Sequence, residues 1–370
     1  MEATPHRVQD GSVRIYRLFD VADAIDLARA ESLAAEPKSR FRLETPRTQS
    51  AIEIPQPPVH LRLGVRPVPL PSGERSAEVR ASLFDYGVVS VLLELPIPPG
   101  TSLHDLLPLA EELLDRRTPE VDAVARREAE DLARALRPAL ENPHAWEGLE
   151  TYTVFFVRAF DRPVVGRELL DKAPLARLLL GERDPTPLSG EEREDVLKHH
   201  FSYLESDLAI VDWNSAFVHE PSGATDVPDL LEFATAHLLE LRYYDALLDR
   251  ELRDIYDEMA AQAGPRLLSR RYGRLLRRTA ALLLELSEMV ERLENAVKFV
   301  GDFYLARLYQ AAVRRFRLPA WQETVLRKQR LLADVNRMLN DAADTRRAEL
   351  LEVTLIALIA WEILYALLRR

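Results

Sequence analysis

The chain has 370 residues, 47% of them hydrophobic and 29% charged, a composition typical of a folded protein of about two domains. It contains no cysteine, which excludes disulfides, thiolate metal sites and a cysteine nucleophile and fits a reducing compartment. The net charge of −11 is uneven: residues 264–370 contain 20 Lys/Arg and 12 Asp/Glu, and residues 1–263 contain 29 and 48. The acidic part argues against nucleic acid as its partner. No basic-then-apolar signal pattern opens the chain, so we expect a cytoplasmic protein.

The N-terminal part predicts an α/β arrangement. Residues 13–19 favour a strand with one buried face, and Asp20 is placed to cap a helix that runs to Leu33. Seven prolines fall between Glu44 and Ser76. Because proline lacks the amide hydrogen that regular pairing needs, they predict a loop or extended arm over 44–76.

Two similar strand-helix-strand-strand units are predicted next. A hairpin over 78–95 turns on Asp85-Tyr86-Gly87 and precedes helices over 104–114 and 120–140. The second unit contains a strand over 151–159, helices over 165–180 and 191–200, and strands over 208–211 and 215–219. Its turn, Asp212-Trp213-Asn214, resembles the first turn. We infer one mixed sheet with helices on one face.

After a linker at 221–228, the pattern is helical to the end of the chain. Helices are predicted over 229–262 and 266–316, and a third follows Pro319. The second has an apolar coiled-coil seam with spacings of four and three residues: Leu282, Leu286, Met289, Leu293, Ala296, Val300 and Phe303. Short breaks between long helices predict antiparallel hairpins, and the seam favours a homo-oligomer held by these helices.

The C-terminal helix, residues 350–370, is mostly apolar and ends in two arginines. Its apolar run is about 28 Å long as a helix, close to the thickness of a bilayer. Either it is a membrane anchor, with Glu362 opposing insertion, or neighbouring helices bury it on all sides. The residues assigned to this membrane or assembly helix are Leu350, Val353, Ile356, Ile359, Trp361, Glu362, Ile363 and Tyr365.

A basic surface is predicted at the start of the second long helix. It consists of Arg266, Arg270, Arg271, Arg274, Arg277 and Arg278. Such a helix can be a solvated face with ion pairs, or can contact anionic lipid or RNA. RNA ranks last because no RNA-binding signature accompanies the charge.

Catalytic signals are weak. Asp85 and Asp212 would face each other if the two units were related by a pseudo-twofold axis, which would suit acid-base or metal chemistry. Aspartate in a turn is more often explained by backbone hydrogen bonds. His237 and Glu240 have the spacing of a carboxylate-bridged metal site, but no second pair matches them. We therefore assign no catalytic residue, metal or cofactor and see no evident small-molecule substrate.

Two segments resemble a known family. They are Leu83-Phe84-Asp85-Tyr86-Gly87-Val88-Val89 and the ending over residues 347–362. Together with the long helices they resemble the family called "required for meiotic nuclear division", over residues 76–370. Its bacterial members are an uncharacterised domain, and its eukaryotic members include mitochondrial proteins linked to translation. The resemblance implies a membrane-associated, helix-mediated assembly without catalytic residues, and the lack of a presequence favours a bacterial protein.

The sequence thus predicts an α+β protein. An α/β domain at 1–223 precedes a long-helix domain at 224–349 and an apolar C-terminal helix at 350–370. The expected function is a non-enzymatic, self-associating scaffold in the cytoplasm, attached through its C-terminus to the inner face of a membrane. The alternatives are an RNA- or ribosome-associated factor that uses the Arg-rich helix and a metal-dependent enzyme that uses Asp85 and Asp212.

Overall fold

A computed structural model shows an α+β protein, as predicted. It describes residues 6–42, 52–114, 118–184, 186–261, 276–284, 286–287, 290–291, 298–299 and 304–368. The strands are β1 (Arg7–Asp20), β2 (Ala24–Ile25), β3 (Lys38–Arg40), β4 (Ile52–Glu53), β5 (Val59–Val68), β6 (Arg75–Leu83), β7 (Val88–Pro96), β8 (Thr101–Ser102), β9 (Leu140–Glu141), β10 (Glu150–Phe160), β11 (His200–Phe201), β12 (Leu208–Val211), β13 (Ser215–His219) and β14 (Lys298–Phe299). The helices are α1 (Leu27–Leu33), α2 (Leu107–Leu114), α3 (Pro119–Ala135), α4 (Gly166–Lys172), α5 (Leu175–Leu180), α6 (Gly190–Leu197), α7 (Asp226–Ala261), α8 (residues 276–284), α9 (Tyr304–Arg315) and α10 (Leu318–Leu368).

One mixed sheet organises the N-terminal region, in the order β11-β12-β13-β10-β1-β7-β6-β5-β3. The central strand β1 is antiparallel to both β7 and β10, and β10 is parallel to β13. The two predicted units share a lateral order, since β7 lies between β1 and β6 as β13 lies between β10 and β12. Their directions differ, because β7 is antiparallel to β1 whereas β13 is parallel to β10. The sheet therefore does not repeat one unit.

Helices cover both faces of the sheet, which corrects the prediction of helices on one face. The first face carries Val13, Ile15 and Phe19 into an apolar core with helices α1 to α6. On the second face Phe84 meets Phe233 of α7, with ring centroids 5.1 Å apart, and Tyr152 meets Phe316 at 5.2 Å.

Strand β1 is buried on both faces, which corrects the prediction of one buried face. Its buried arginines point to opposite faces of the sheet. Arg14 lies opposite Glu94 of β7, with Nε and Oε1 3.3 Å apart. Arg17 pairs with Asp122 of α3 at 2.5 Å. From the sequence alone, each arginine would be expected in solvent. In the structure each forms an ion pair with a carboxylate that is distant in the chain.

The Pro-rich segment 44–76 contains a strand, which corrects the loop prediction. Strand β5 (Val59–Val68) pairs with β6 along its length, but β3 covers only Val59–Leu61 on its other side. Among the described residues the rest of β5 has no second neighbour and is a sheet edge, where proline is tolerated because no neighbour needs its amide hydrogen. Pro67 occupies this edge.

Of the second long helix predicted over 266–316, only parts are described, and they are not one helix. Lys298 and Phe299 form strand β14, which pairs with Glu53 and Ile52 of β4. Their backbone hydrogen bonds thus go to a neighbouring strand, and α9 begins only at Tyr304. The seam positions Leu282 and Leu286 are buried. Met289, Leu293, Ala296, Val300 and Phe303 lie outside the described residues.

The chain divides into two compact units. Unit 1 comprises Met1–Tyr243 and Glu291–Trp321, and unit 2 comprises Tyr244–Val290 and Gln322–Arg370. The start of α7 and all of α9 thus belong with the sheet. Such units are defined by packing rather than by independent folding, so the predicted domain boundary at 223 stays a prediction.

The described part of unit 2 contains the end of α7, α8 and most of α10. α8 and the residues that follow it run antiparallel to α10, since Thr279 bonds Asn336 at 2.6 Å and Ser287 bonds Gln329 at 3.2 Å. This matches the predicted antiparallel hairpin. Lys328 of α10 lies 2.7 Å from Asp245 and 2.6 Å from Asp249 of α7. Lys328 therefore joins the two helices through ion pairs.

Candidate functional site

The C-terminal part of α10 is an apolar helix that the other described residues leave uncovered. Every residue from 351 to 362 is exposed. The large apolar side chains among them range from Ile359, 49% exposed, to Leu351, 72% exposed. Val353, Ile356 and Trp361 of the predicted membrane or assembly helix belong to this exposed stretch, and Tyr365 follows it. The side chains of Leu350 and Ile363 lie outside the described part.

The membrane assignment is wrong. In the part of the chain that the structure describes, no helix has the length and apolar character needed to cross a bilayer. The carboxylate of Glu362, in the middle of the apolar run, opposes insertion by about 3 kcal/mol if it costs as much as aspartate. The transmembrane anchor is therefore withdrawn, whereas membrane lipid as a partner stays a prediction from the sequence.

The predicted basic surface is described only at its end. Arg266, Arg270, Arg271 and Arg274 lie outside the described residues, and Arg277 is exposed. Arg278 pairs with Glu251 and lies 3.3 Å from Asp254. At this end the helix carries the ion pairs of a solvated face.

Asp85 and Asp212 lie at the same end of the sheet but far apart. Their turns precede β7 and β13, and β1 and β10 run between those strands. Three strand spacings correspond to about 14 Å, too far for two carboxylates to share a proton or a metal. Asp212 is instead fully buried and lies 2.7 Å from a guanidinium nitrogen of Arg315.

His237 is a core histidine. Its Nδ1 lies 2.9 Å from the hydroxyl oxygen of Tyr309, and its ring packs 5.6 Å from that of Tyr86. Burial lowers the pKa of His237 to about 4, so the ring is neutral at physiological pH. Within the described residues, no cluster of three or more His, Asp or Glu side chains could hold a metal ion.

Sequence reasoning missed a buried polar cluster on the second face of the sheet. Ser12 donates to Glu94 Oε1 at 2.7 Å, and Arg80 approaches the other carboxylate oxygen at 3.0 Å. Arg14 and Glu232, from β1 and α7, are also buried there. Arg14 and Glu232 are more than 200 positions apart in the sequence, so no local spacing pattern connects them. The one available signal was Arg14 itself, between the apolar residues Val13 and Ile15.

The mixed sheet, the helices that cover it and the helices of unit 2 define an α+β protein. One face of its sheet carries a buried polar cluster. A family model described as "Uncharacterized protein MJ0711, N-terminal domain" matches residues 10–226, more than half of the chain. The chain belongs to this family. It is 26% identical over 232 residues to "Uncharacterized protein MJ0711" of Methanocaldococcus jannaschii, covering 62% of this chain and 69% of that protein. No solved structure matches the chain.

These matches correct the resemblance drawn from the sequence. The matched family is the MJ0711 N-terminal domain family, and nothing in it points to "required for meiotic nuclear division". The short motif at 83–89 was a poor guide, because apolar residues, an Asp, an aromatic and a Gly are what many hairpin turns require. The bacterial assignment is also wrong, since the relative is archaeal.

Proposed function

We propose that this protein is a self-associating scaffold in which the C-terminal helix of one chain packs against the same helix of other copies. The observation that carries the proposal is the uncovered apolar stretch 351–365 of α10. An apolar helix in water is strongly favoured to lose that exposure, and in a globular assembly it does so by packing. The two described positions of the predicted seam, Leu282 and Leu286, are already buried and do not add to this exposed surface.

The size of the uncovered surface suits an interface with other copies of the chain. Eight large apolar side chains of the described part of 351–365 are each about half exposed or more. A standard interface buries about 800 Å² on each partner. These side chains lie on all sides of the helix rather than along one stripe. Full coverage therefore needs several helices, as in a bundle, rather than a single two-stranded contact.

The charge of Glu362 favours an antiparallel arrangement of the packed C-terminal helices. Parallel helices in register would place the Glu362 carboxylates of neighbouring copies side by side in an apolar interface, where like charges repel. Antiparallel packing centred near Leu358 puts Glu362 opposite Thr354 and separates the two carboxylates by about 12 Å along the axis.

Sedimentation velocity on three proteins tests the proposal. The intact chain is expected to sediment as an oligomer at micromolar concentration, and Leu355→Glu with Ile359→Glu is expected to yield monomers. Met338→Glu is the matched control, because Met338 is 62% exposed on the same helix outside the apolar stretch. It should leave the oligomer intact. A double variant that sediments like the wild type would overturn the proposal.

The other two candidate functions stay predictions from the sequence. Four of the six arginines of the basic surface lie outside the described residues, so no contact there favours RNA. Because Asp85 and Asp212 are far apart, no shared site supports the hypothesis of a metal-dependent enzyme.

A further inference from the structure

A cavity of about 630 Å³ lies within unit 1, where the start of β10, the turn between β12 and β13, α7 and the junction of α9 with α10 meet. This volume is within the range of small-molecule binding sites. Four of the lining residues are aromatic: Tyr152, Trp213, Phe316 and Trp321. Three are arginines: Arg242, Arg315 and Arg317. The cavity thus combines aromatic surface with positive charge.

The inner wall of the cavity consists of packed aromatic side chains. Tyr152 and Phe316 are both buried, with ring centroids 5.2 Å apart. The Tyr152 hydroxyl group lies 3.0 Å and 2.8 Å from the backbone carbonyl oxygens of Asp212 and Ser215, its hydrogen-bond acceptors. Since these two residues flank the turn that carries Trp213, the tyrosine holds that turn in place.

An ion pair brings this turn next to the junction of α9 and α10. A guanidinium nitrogen of Arg315 lies 2.7 Å from Asp212, the residue directly before Trp213, and Arg317 follows Arg315 by two positions. At the start of α10 the amide of Trp321 donates to the carbonyl oxygen of Arg317 at 3.2 Å, so these residues lie one helical turn apart. Trp213, Arg317 and Trp321 therefore line the cavity from adjoining positions.

Two exposed groups of the rim remain available to a ligand. Trp213 is 60% exposed, although it sits on a fixed turn. The guanidinium group of Arg242 is already used, since it lies over the Trp321 ring, 5.9 Å from the centroid, and pairs with the buried Glu150. The side chain of Arg317 is exposed and has no carboxylate within ion-pair distance among the described residues. The rim thus presents one flat apolar ring and one guanidinium group to solvent.

We propose that this cavity binds a nucleoside monophosphate, with the base stacked on Trp213 and the phosphate at Arg317. A base stacks on an indole ring through its π face, and the planar fork of a guanidinium group matches phosphate oxygens in pairs. Thr151 and Asn214 also line the cavity and offer a hydroxyl and an amide group to the ribose and the base edge. An uncharged ring would leave Arg317 unused, and an anion without a ring would leave Trp213 in water. The site goes beyond the proposed assembly and does not depend on it.

Calorimetric titration of the intact protein with adenosine 5′-monophosphate tests the proposal. We expect one molecule of this nucleotide per chain. Adenosine lacks the phosphate and ribose 5-phosphate lacks the base, so each matched probe should bind about tenfold more weakly or worse.

Two variants with matched controls test the two contacts separately. Trp213→Leu removes the stacking surface and should weaken adenosine 5′-monophosphate about tenfold, whereas Tyr203→Leu, at a side chain 54% exposed outside the cavity, should change the affinity less than twofold. Arg317→Gln should reduce the affinity for the nucleotide to that for adenosine. Arg307→Gln, at an exposed arginine of α9 outside the cavity, should leave it within twofold.

Because Trp213 and Arg317 are exposed, both variants are expected to fold, and their thermal melts should match that of the wild type. Absence of adenosine 5′-monophosphate binding, or binding that neither change weakens, would overturn the proposal. So would equal affinities for the nucleotide and ribose 5-phosphate, because the ring would then contribute nothing. An oligonucleotide that binds when the mononucleotide does not would also overturn it, since it would assign the cavity to a nucleic acid strand.

Discussion

A guanidinium nitrogen of Arg315 lies 2.7 Å from a carboxylate oxygen of Asp212, a residue that is fully buried at the turn between β12 and β13. The same guanidinium reaches Asp195 on α6 at 2.9 Å. Arg315 ends α9, so this pair ties a late helix of the chain to the sheet. Asp212, which the sequence suggested as half of a catalytic pair, therefore has a structural role.

Replacing Arg315 tests that role. Arg315→Met leaves the Asp212 carboxylate buried without its counter-charge, and we expect a loss of about 3 to 5 kcal/mol in the free energy of unfolding, measured by urea titration. Asp195→Asn is the control, because Asp195 is on the surface, where solvent screens its pair with Arg315 and a much smaller loss is expected. Equal losses in the two variants would show that the buried pair of Arg315 and Asp212 stabilises the fold no more than the surface pair of Arg315 and Asp195.

Gly87 is required by the β6–β7 hairpin. Its φ is +96°, and a Cβ atom would lie 1.7 Å from the carbonyl oxygen of Ala22. Gly87→Ala is therefore expected to cost more than about 2 kcal/mol, from the left-handed backbone and from the clash. Gly190→Ala provides the comparison, since nothing lies within 4 Å of its Cβ position. It should be neutral or slightly stabilising in the same thermal melts, and a similar loss in both would refute the steric explanation.

His144 gives the fold a dependence on alkaline pH. Burial lowers its pKa, but the hydrogen bonds and charges of Asp20 and Asp23 outweigh that effect and raise the pKa to about 10. Its folded-state pKa therefore exceeds the unfolded value of about 6.5. The stabilisation from protonated His144 is complete below pH 6.5 and is lost as the pH rises towards 10.

Thermal melts between pH 6 and 10 measure this effect. The difference in melting temperature between the wild type and His144→Gln should be largest near pH 6 and shrink as the pH rises. His104→Gln, at an exposed position, should follow the wild type throughout. A gap between wild type and His144→Gln that does not change with pH would contradict the assignment.

Local sequence patterns predicted many strands of the sheet well. They did not predict which segments pair with each other over long distances in the chain. Strands β12 and β13 follow the predicted bounds, because short apolar runs between turn residues identify them directly. Strand β5 was missed, since its one proline, Pro67, is permitted by an edge position that no local pattern reveals. The helix expected over 266–316 failed at Lys298 for a similar reason, because its pairing partner β4 lies far away in the chain.

The candidate sites divide in the same way. The apolar stretch of α10 is evident from composition alone, and the structure adds that nothing in the described chain covers it. The cavity could not be predicted, because Tyr152, Arg242 and Trp321 come from β10, α7 and α10 and meet only after the sheet has formed. None of these residues has a neighbour in the sequence that marks it as functional.

Spin labels test the antiparallel packing of the C-terminal helices, and the absence of native cysteine makes single labels straightforward. Antiparallel packing centred near Leu358 brings labels at Leu358→Cys close together and places labels at Leu351→Cys about 21 Å apart along the axis. Electron–electron distance measurements should show this difference. Equal distances at the two positions would indicate parallel helices instead.

The central claim is that the apolar stretch of α10 holds copies of this chain together. Light scattering of the intact protein across a micromolar dilution series measures this most directly, against a chain mass of 42.2 kDa. Association predicts a mass of at least twice that value, falling towards it on dilution. A mass of 42.2 kDa at every concentration would contradict the claim.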